Sequence, residues 1–434
     1  MSNPMDLARF WTPSGWQPPT GNLVDPVRLD TDWILPGLVN LHSHALQRAM
    51  AGLAEHRGSE ADSFWTWREA MYRFTARIEP QDLHAIAAQL YAEMLESGYT
   101  HVCEFHYLHH RRDGRAYTPT FAMADALVAA AQETGIGLTL LPVLYMQGGF
   151  DGRPLDAVQR RFAHHVETFL CLLGDLHTQH PQLRLGLAFH SLRAVSGQAM
   201  TAVLESGLAQ DAPIHIHIAE QTAEVENCRI ARGATPVAWL LDHASVDARW
   251  CLVHATHMDK DETCRLAATG AVAGLCPSTE ANLGDGLFPL LEYFQAGGRM
   301  GIGSDSHISV SPVEELRWLE YGQRLRNRGR NLVADATTSH TGARLFAAAQ
   351  AGGWQAAGLD SASSSAGTIS LDASHPLLTV RQADEVLDSW IFAGNVPLVR
   401  EVYRNNRCLV HEGRHVQHEA IAARYKTTLA RLRT

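Results

Sequence analysis

The sequence predicts an α/β fold, a (β/α)8 TIM barrel carrying a small β-sandwich-like domain built from both termini. Three observations predict it. Eight short apolar runs recur along the 434 residues, helix-like stretches separate them, and polar residues, many of them histidines, gather where the runs end. In such a barrel the C-terminal strand ends share one mouth, so positions distant in sequence converge in space. An open doubly wound sheet is the competing architecture, but no glycine-rich phosphate loop follows the first run.

The first run spans 33–44 and ends in "HSH". Residues i and i+2 of a strand face one side, so His42 and His44 point together. Two convergent neutral imidazoles suit Zn²⁺ or Fe²⁺; an isolated pair can also be two polar residues closing a strand. The second run, "YTHVCEFHY" (99–107), ends in Tyr107, and the third is "GIGLTLLPVLYM" (135–146). The fourth, "LRLGLAFHSL" (183–192), brings His190 to its end, with Arg193 three residues on. The fifth, "PIHIHIAE" (213–220), sets His215 and His217 on one face. His217 reads as a further metal ligand, and Glu220 beyond it as a carboxylate able to move the proton of an activated water. His215 reads as structural, and Glu220 could alternatively open a surface helix. The sixth run, "RWCLVHATH" (249–257), offers His254 to orient water or polarise the scissile group. The seventh is "AVAGLCPST" (271–279). The eighth, "RMGIGSDSH" (299–307), offers Asp305 as a hard oxygen ligand and proton acceptor, or else as a helix cap. His257 and His307 read as supporting or surface groups.

Helical patterns fill the gaps, as in 80–98 and 236–244. The expected division is 1–32 for the first part of the small domain, 33–358 for the barrel, and 359–434 for the rest of the small domain plus a last helix near 416–432. "DSASSSAG" reads as a surface loop. "TISLD", "VREVYRN" and "RCLVHEG" read as short strands.

Composition narrows the class. With 46% hydrophobic and 19% charged residues the chain reads as a soluble globular protein with material for a large core. A net charge of −10 without a basic block disfavours nucleic acid. No stretch is long enough to span a bilayer, and the N-terminus lacks an apolar leader. Seven scattered cysteines with no CxxC pair fit a reduced, cytoplasmic protein.

The joint pattern is HxH ending strand one, HxxE at strand five, histidine at strand six and SDS at strand eight. It resembles the amidohydrolase superfamily, whose members hydrolyse C–N bonds in metal-centred barrels. Many members bridge two metals with a carboxylated lysine after strand four. The chain has only Lys260 and Lys426, so it resembles instead the one-metal branch of cytosine, guanine and adenosine deaminases. Longer stretches are similar to those of the N-formimino-L-glutamate deiminases: "LPGLVNLHSHALQRAMAGLAE", "SFWTWREAMYRF", "EFHYLHH", "HSLRAV", "CPSTEANLGDGLFP" and "GIGSDSHISVSPVEELRWLEYGQRL". That resemblance implies one divalent metal, zinc or alternatively iron, on His42, His44, His217 and Asp305. It implies Glu220 as proton shuttle, with His254 and Asp305 beside the attacking water. It implies a substrate pocket of Gln47, Arg68, Tyr107, His190 and Arg193, a small dicarboxylate substrate and a homodimer. The arginine pair agrees, because guanidinium forks bind carboxylates in two-point fashion; Arg68 could alternatively be a structural arginine stacked among tryptophans. Phe189 stands where the family pattern has proline. Two other readings stay open: a deaminase of a cyclic amidine such as guanine or cytosine, and a non-catalytic metal-binding scaffold.

Overall fold

Two sheets organise the chain. The structure, a computed structural model, describes residues 10–17, 32–55, 64–359 and 367–433. In chain order its strands are β1 (Phe10–Thr12), β2 (Gly15–Gln17), β3 (Trp33–Pro36), β4 (Leu38–Ser43), β5 (Tyr99–His106), β6 (Gly137–Leu144), β7 (Arg184–Leu185) and β8 (Leu187–Ser191). They continue as β9 (Ile214–Ile218), β10 (Trp250–His254), β11 (Val272–Leu275), β12 (Arg299–Ile302), β13 (Thr368–Leu371), β14 (Val399–Arg404), β15 (Arg407–His411) and β16 (Arg414–His415).

The larger sheet runs β12-β11-β10-β9-β8-β6-β5-β4, with β7 pairing only β6. Every pairing is parallel and follows chain order. The ends meet. Asp305 N–H donates to the His42 carbonyl at 3.0 Å, and His44 N–H donates to the Asp305 carbonyl at 3.3 Å. Asn40 and Ser304 add side-chain bonds across the same seam. The sheet is therefore a closed barrel, and the doubly wound alternative is excluded. Helices cross between strands, including Pro80–Ser97, Pro236–His243 and Thr341–Ala356. The helix Pro80–Ser97 starts at a reciprocal cap between Glu79 and Asp82 and ends at Gly98 in the left-handed region, φ 109°.

The first apolar run is divided between the sheets. Trp33–Pro36 pair with β13 and β1, and only Leu38–Ser43 enter the barrel. Pro36 lacks an N–H, and Gly37 passes so close to Thr100 that any Cβ would collide with its side chain. The fourth run breaks for a similar reason. A Cβ on Gly186 would lie 2.5 Å from Leu141 and 2.7 Å from the Pro213 carbonyl oxygen.

The terminal strands form one seven-stranded sheet, β16-β15-β14-β13-β3-β1-β2. Helices pack against it: Trp11 meets Phe346 edge-on at 5.0 Å, and Phe346 meets Trp390 at 6.1 Å. The last helix is His418–Arg433. Most of 1–32 and the "DSASSSAG" loop lie outside the described residues. No described helix is long and apolar enough to cross a membrane.

Candidate active site

The closing seam of the barrel sets the first side chains. β4 carries His42 into its mouth and His44 follows just past its end, β9 carries His217, and the turn after β12 carries Asp305. One donor atom from each of these four lies within 4.8 Å of all the others. His42 Nε2 and His44 Nε2 lie 3.4 and 3.3 Å from Asp305 Oδ1, and His217 Nε2 lies 2.9 Å from His42 Nε2.

Two carbonyls fix the rings. His44 Nδ1 bonds the Phe105 carbonyl at 3.0 Å and His217 Nδ1 bonds the His190 carbonyl at 3.0 Å. A carbonyl accepts, so each Nδ1 carries the proton and each Nε2 presents a bare lone pair to the cluster. Burial holds the three imidazoles below their usual pKa and hence neutral. Three neutral nitrogens and one carboxylate, with lone pairs converging, fit a divalent cation.

Glu220 and His254 stand beside this cluster. His254 Nε2 lies 3.7 Å from Glu220 Oε1 and 3.9 Å from Asp305 Oδ2, and its Nδ1 contacts Glu280 Oε1 at 3.3 Å. Burial raises the Glu220 carboxyl to about 7, with His254 opposing and Asp305 adding to the rise. For His254 burial works against the charge, but Glu220, Glu280 and Asp305 together outweigh it and raise the ring to about 10. The backbone is strained here. Ala219, His254, Ala255, Asp305 and His307 all have positive φ, between 45° and 69°, a conformation costly for non-glycine residues and concentrated at functional sites.

A cavity of about 680 Å³, counting its solvent mouth, opens over the cluster. Gln47, Arg68, Tyr107, His190 and Arg193 all line it. Gln47 donates to the Tyr107 hydroxyl at 3.0 Å. The Arg68 guanidinium sits 5.4 Å over the Tyr72 ring, so this arginine is both stacked and turned to the cavity. Burial pushes Arg193 down, and Tyr145, Glu224, Tyr72 and Glu220 more than offset it. Phe189 points the other way from its neighbour: it is buried and stacks on Trp250 at 6.1 Å, while His190 faces the cavity.

His215 sits in the barrel interior, its Nε2 bonded to the Ala356 carbonyl at 2.8 Å, a structural role. His307 braces the seam through Ser304 and Ser43. Sequence reasoning missed four carboxylates. Glu104 accepts from Ser43 Oγ and Ala45 N–H, each at 2.6 Å, and so supports the HxH turn from beneath. Glu280 contacts His254, Glu224 holds the turn at Glu220, and Asp285 accepts from Gln221. Tyr72, Tyr145 and Phe162 were missed as cavity walls. The available signal was position: Glu224 and Glu280 each lie within the first turn of a helix that follows a barrel strand.

The chain is similar to known proteins. The chain is 51% identical over 405 residues, 92% of its length and 89% of the relative's, to formimidoylglutamate deiminase of Pseudomonas aeruginosa. Its fold matches the crystal structure of an amidohydrolase from Brucella melitensis at TM-score 0.92 and 44% identity, covering 99% of each chain. It also matches a zinc-bound adenosine deaminase from Xanthomonas campestris at TM-score 0.75 and 21% identity, covering 93% of this chain and 87% of the other; at that identity the likeness concerns the fold alone. The sequence signature of the amidohydrolase family spans residues 33–367, from the last strand before the barrel to the return into the terminal sheet, and the chain belongs to that family.

Proposed function

We propose that this chain hydrolyses N-formimino-L-glutamate to N-formyl-L-glutamate and ammonia, a step of histidine degradation. One observation carries the reading. A single cavity is lined by three of the four candidate metal donors, His44, His217 and Asp305, by the part-buried carboxyl of Glu220, and by two guanidinium groups, Arg68 and Arg193. The substrate pairs a linear amidine with two carboxylates, so it asks for both halves. The name of the Pseudomonas aeruginosa relative supports the same assignment.

His42, His44, His217 and Asp305 would hold one divalent metal, with zinc proposed and iron(II) suited to the same donors. When bound, that cation acts as a Lewis acid and makes water a competent nucleophile near neutral pH. The chain's own residues do the rest. Arg68 and Arg193 bind the substrate carboxylates, while Gln47, Tyr107 and His190 orient the formimino end. Attack by water on the formimino carbon makes that carbon tetrahedral. Glu220 takes one water proton on a carboxylate oxygen and gives it to the formimino nitrogen; the second proton, from the hydroxyl now on the carbon, passes by way of Asp305 and Glu220 to the same nitrogen and makes it a leaving group. The C–N bond breaks, ammonia leaves, and the carbon becomes the formyl carbonyl. Burial excludes competing water and keeps Glu220 protonatable near neutrality. His254 faces Glu220 and Asp305 and donates a hydrogen bond toward the developing charge. A cytoplasmic homodimer completes the proposal on the strength of the family likeness.

Substrate comparison tests the reading. N-formimino-L-glutamate should give a far higher kcat/KM than an N-formimino compound lacking one carboxylate. Guanine and cytosine should be poor substrates. Equal rates with the truncated compound would remove the arginines from recognition, and preference for guanine or cytosine would replace the assignment with a cyclic-amidine deaminase.

A further inference from the structure

Glu224 has no role in the chemistry above, yet it is built into the same wall. It is buried, lines the cavity, and sits in the first turn of the helix Thr222–Arg232, four residues past Glu220. Its Oε1 accepts the Ala219 N–H at 3.1 Å and its Oε2 accepts the Glu220 N–H at 3.0 Å. The turn it holds is the one that takes Glu220 off the line of β9. Ala219 there has φ 51°, a conformation that persists in a non-glycine residue only when its surroundings impose it. Burial opposes a charge on Glu224, while Arg193 and the same two N–H groups favour the carboxylate. A carboxylate serves both N–H donors at once. Glutamine cannot, because one of its two terminal atoms is an NH₂ that would face the second N–H.

We propose that Glu224 is a positioning residue for the hydrolysis: by clamping both N–H groups of the Ala219–Glu220 turn, it sets the Glu220 carboxyl against His254. The inference rests on the role given to Glu220 above. Its signature is a fall in kcat larger than any rise in KM, because Gln47 and Arg68 keep their own partners and Arg193 loses only one of the groups that face it.

The experiment uses Glu224→Gln in the full-length, metal-loaded protein. A displacement on the order of 1 Å at a reacting group costs about a hundredfold in rate. The expected result is therefore a kcat lowered about tenfold to a hundredfold, with KM changed by less than kcat and with metal content and melting temperature close to the parent's. In its crystal structure the 3.7 Å approach of Glu220 to His254 should be lost. A parental kcat overturns the inference, as does a fall in kcat explained by lost metal or lost fold. Should Glu224→Gln fail to fold, Glu224→Asp keeps both oxygens on a shorter arm, and a parental kcat in that variant overturns the inference equally. A parent enzyme that leaves N-formimino-L-glutamate untouched defeats the functional reading instead. The variant's structure then still decides: Glu220 in its parental place overturns the clamp, and a displaced Glu220 upholds it.

Discussion

Glu220 carries the largest chemical demand of any single side chain. It must take and give protons within one turnover, and it is held 3.7 Å from His254 in a part-buried position. Glu220→Gln keeps the shape and removes the proton acceptor. Its turnover should fall by about 10²- to 10⁴-fold while metal content is unchanged, as steady-state kinetics and elemental analysis will show; near-normal turnover removes Glu220 from the role. At this scale the sequence was readable wherever a strand period dictated direction. His42 and His44 face one way because they are two apart, whereas Glu220, three past His217, comes to the cavity through the turn at Ala219, which no strand period foretells. It was not readable where the partner is remote or is backbone. Glu104 meets Ser43 across 61 positions and Glu280 meets His254 across 26; nothing local marks Glu104 as different from an ordinary strand acid, and the helix-start position of Glu280 does not name its partner.

Elements place these residues, and their close approaches are specific. The helix Thr341–Ala356 packs on β12 and β4 through Gly352 and Gly353. A Cβ on Gly352 would collide with the Met300 carbonyl. Gly352→Ala should therefore cost about 1–3 kcal/mol or more, read as a lower midpoint in denaturant melts; an unchanged midpoint would mean the helix can shift outward freely. The loop before this helix titrates. Asp335 accepts from the Thr337 hydroxyl at 2.6 Å and from the Thr337 and Thr338 N–H groups at 2.8 Å, and these bonds hold its carboxyl down at about 2. A carboxyl with a lowered folded pKa stabilises above its unfolded pKa, about 3.9, and loses that contribution as pH falls through the folded value. Asp335→Ala should melt below the parent at pH 6, and the gap should close as pH falls from 4 towards 2. A gap independent of pH would assign the loss to packing. Element boundaries were the less legible part of the sequence. The break at Gly37 depends on Thr100, and the break at Gly186 on Leu141 and Pro213, so both apolar runs read as continuous until those neighbours are in place.

The whole molecule closes its barrel and its candidate metal cluster at one seam. β4 and β12 are joined by backbone bonds between Asp305 and the HxH segment, and the terminal sheet holds the start of β4 through β3 and β13. A cation bound at that seam ties β4, β9 and the turn after β12 together, so its binding energy is also stability of the fold. Zinc added to chelator-treated protein should raise the melting temperature, by the equivalent of about 4 kcal/mol at a thousandfold excess over Kd. His217→Ala should abolish most of that rise. A zinc response that survives this substitution would place the ion elsewhere. The barrel and its mouth were legible at this scale because eight runs alternate with helices. That both termini build one small β domain was legible as well, but the order of its seven strands, β16-β15-β14-β13-β3-β1-β2, was not, because nothing local fixes which terminal strand pairs with which.

The account as a whole is tested most directly by the products. Metal-loaded protein incubated with N-formimino-L-glutamate should release ammonia and N-formyl-L-glutamate in equal amounts. Metal-loaded protein that releases neither, or that releases ammonia only from guanine or cytosine, would contradict it.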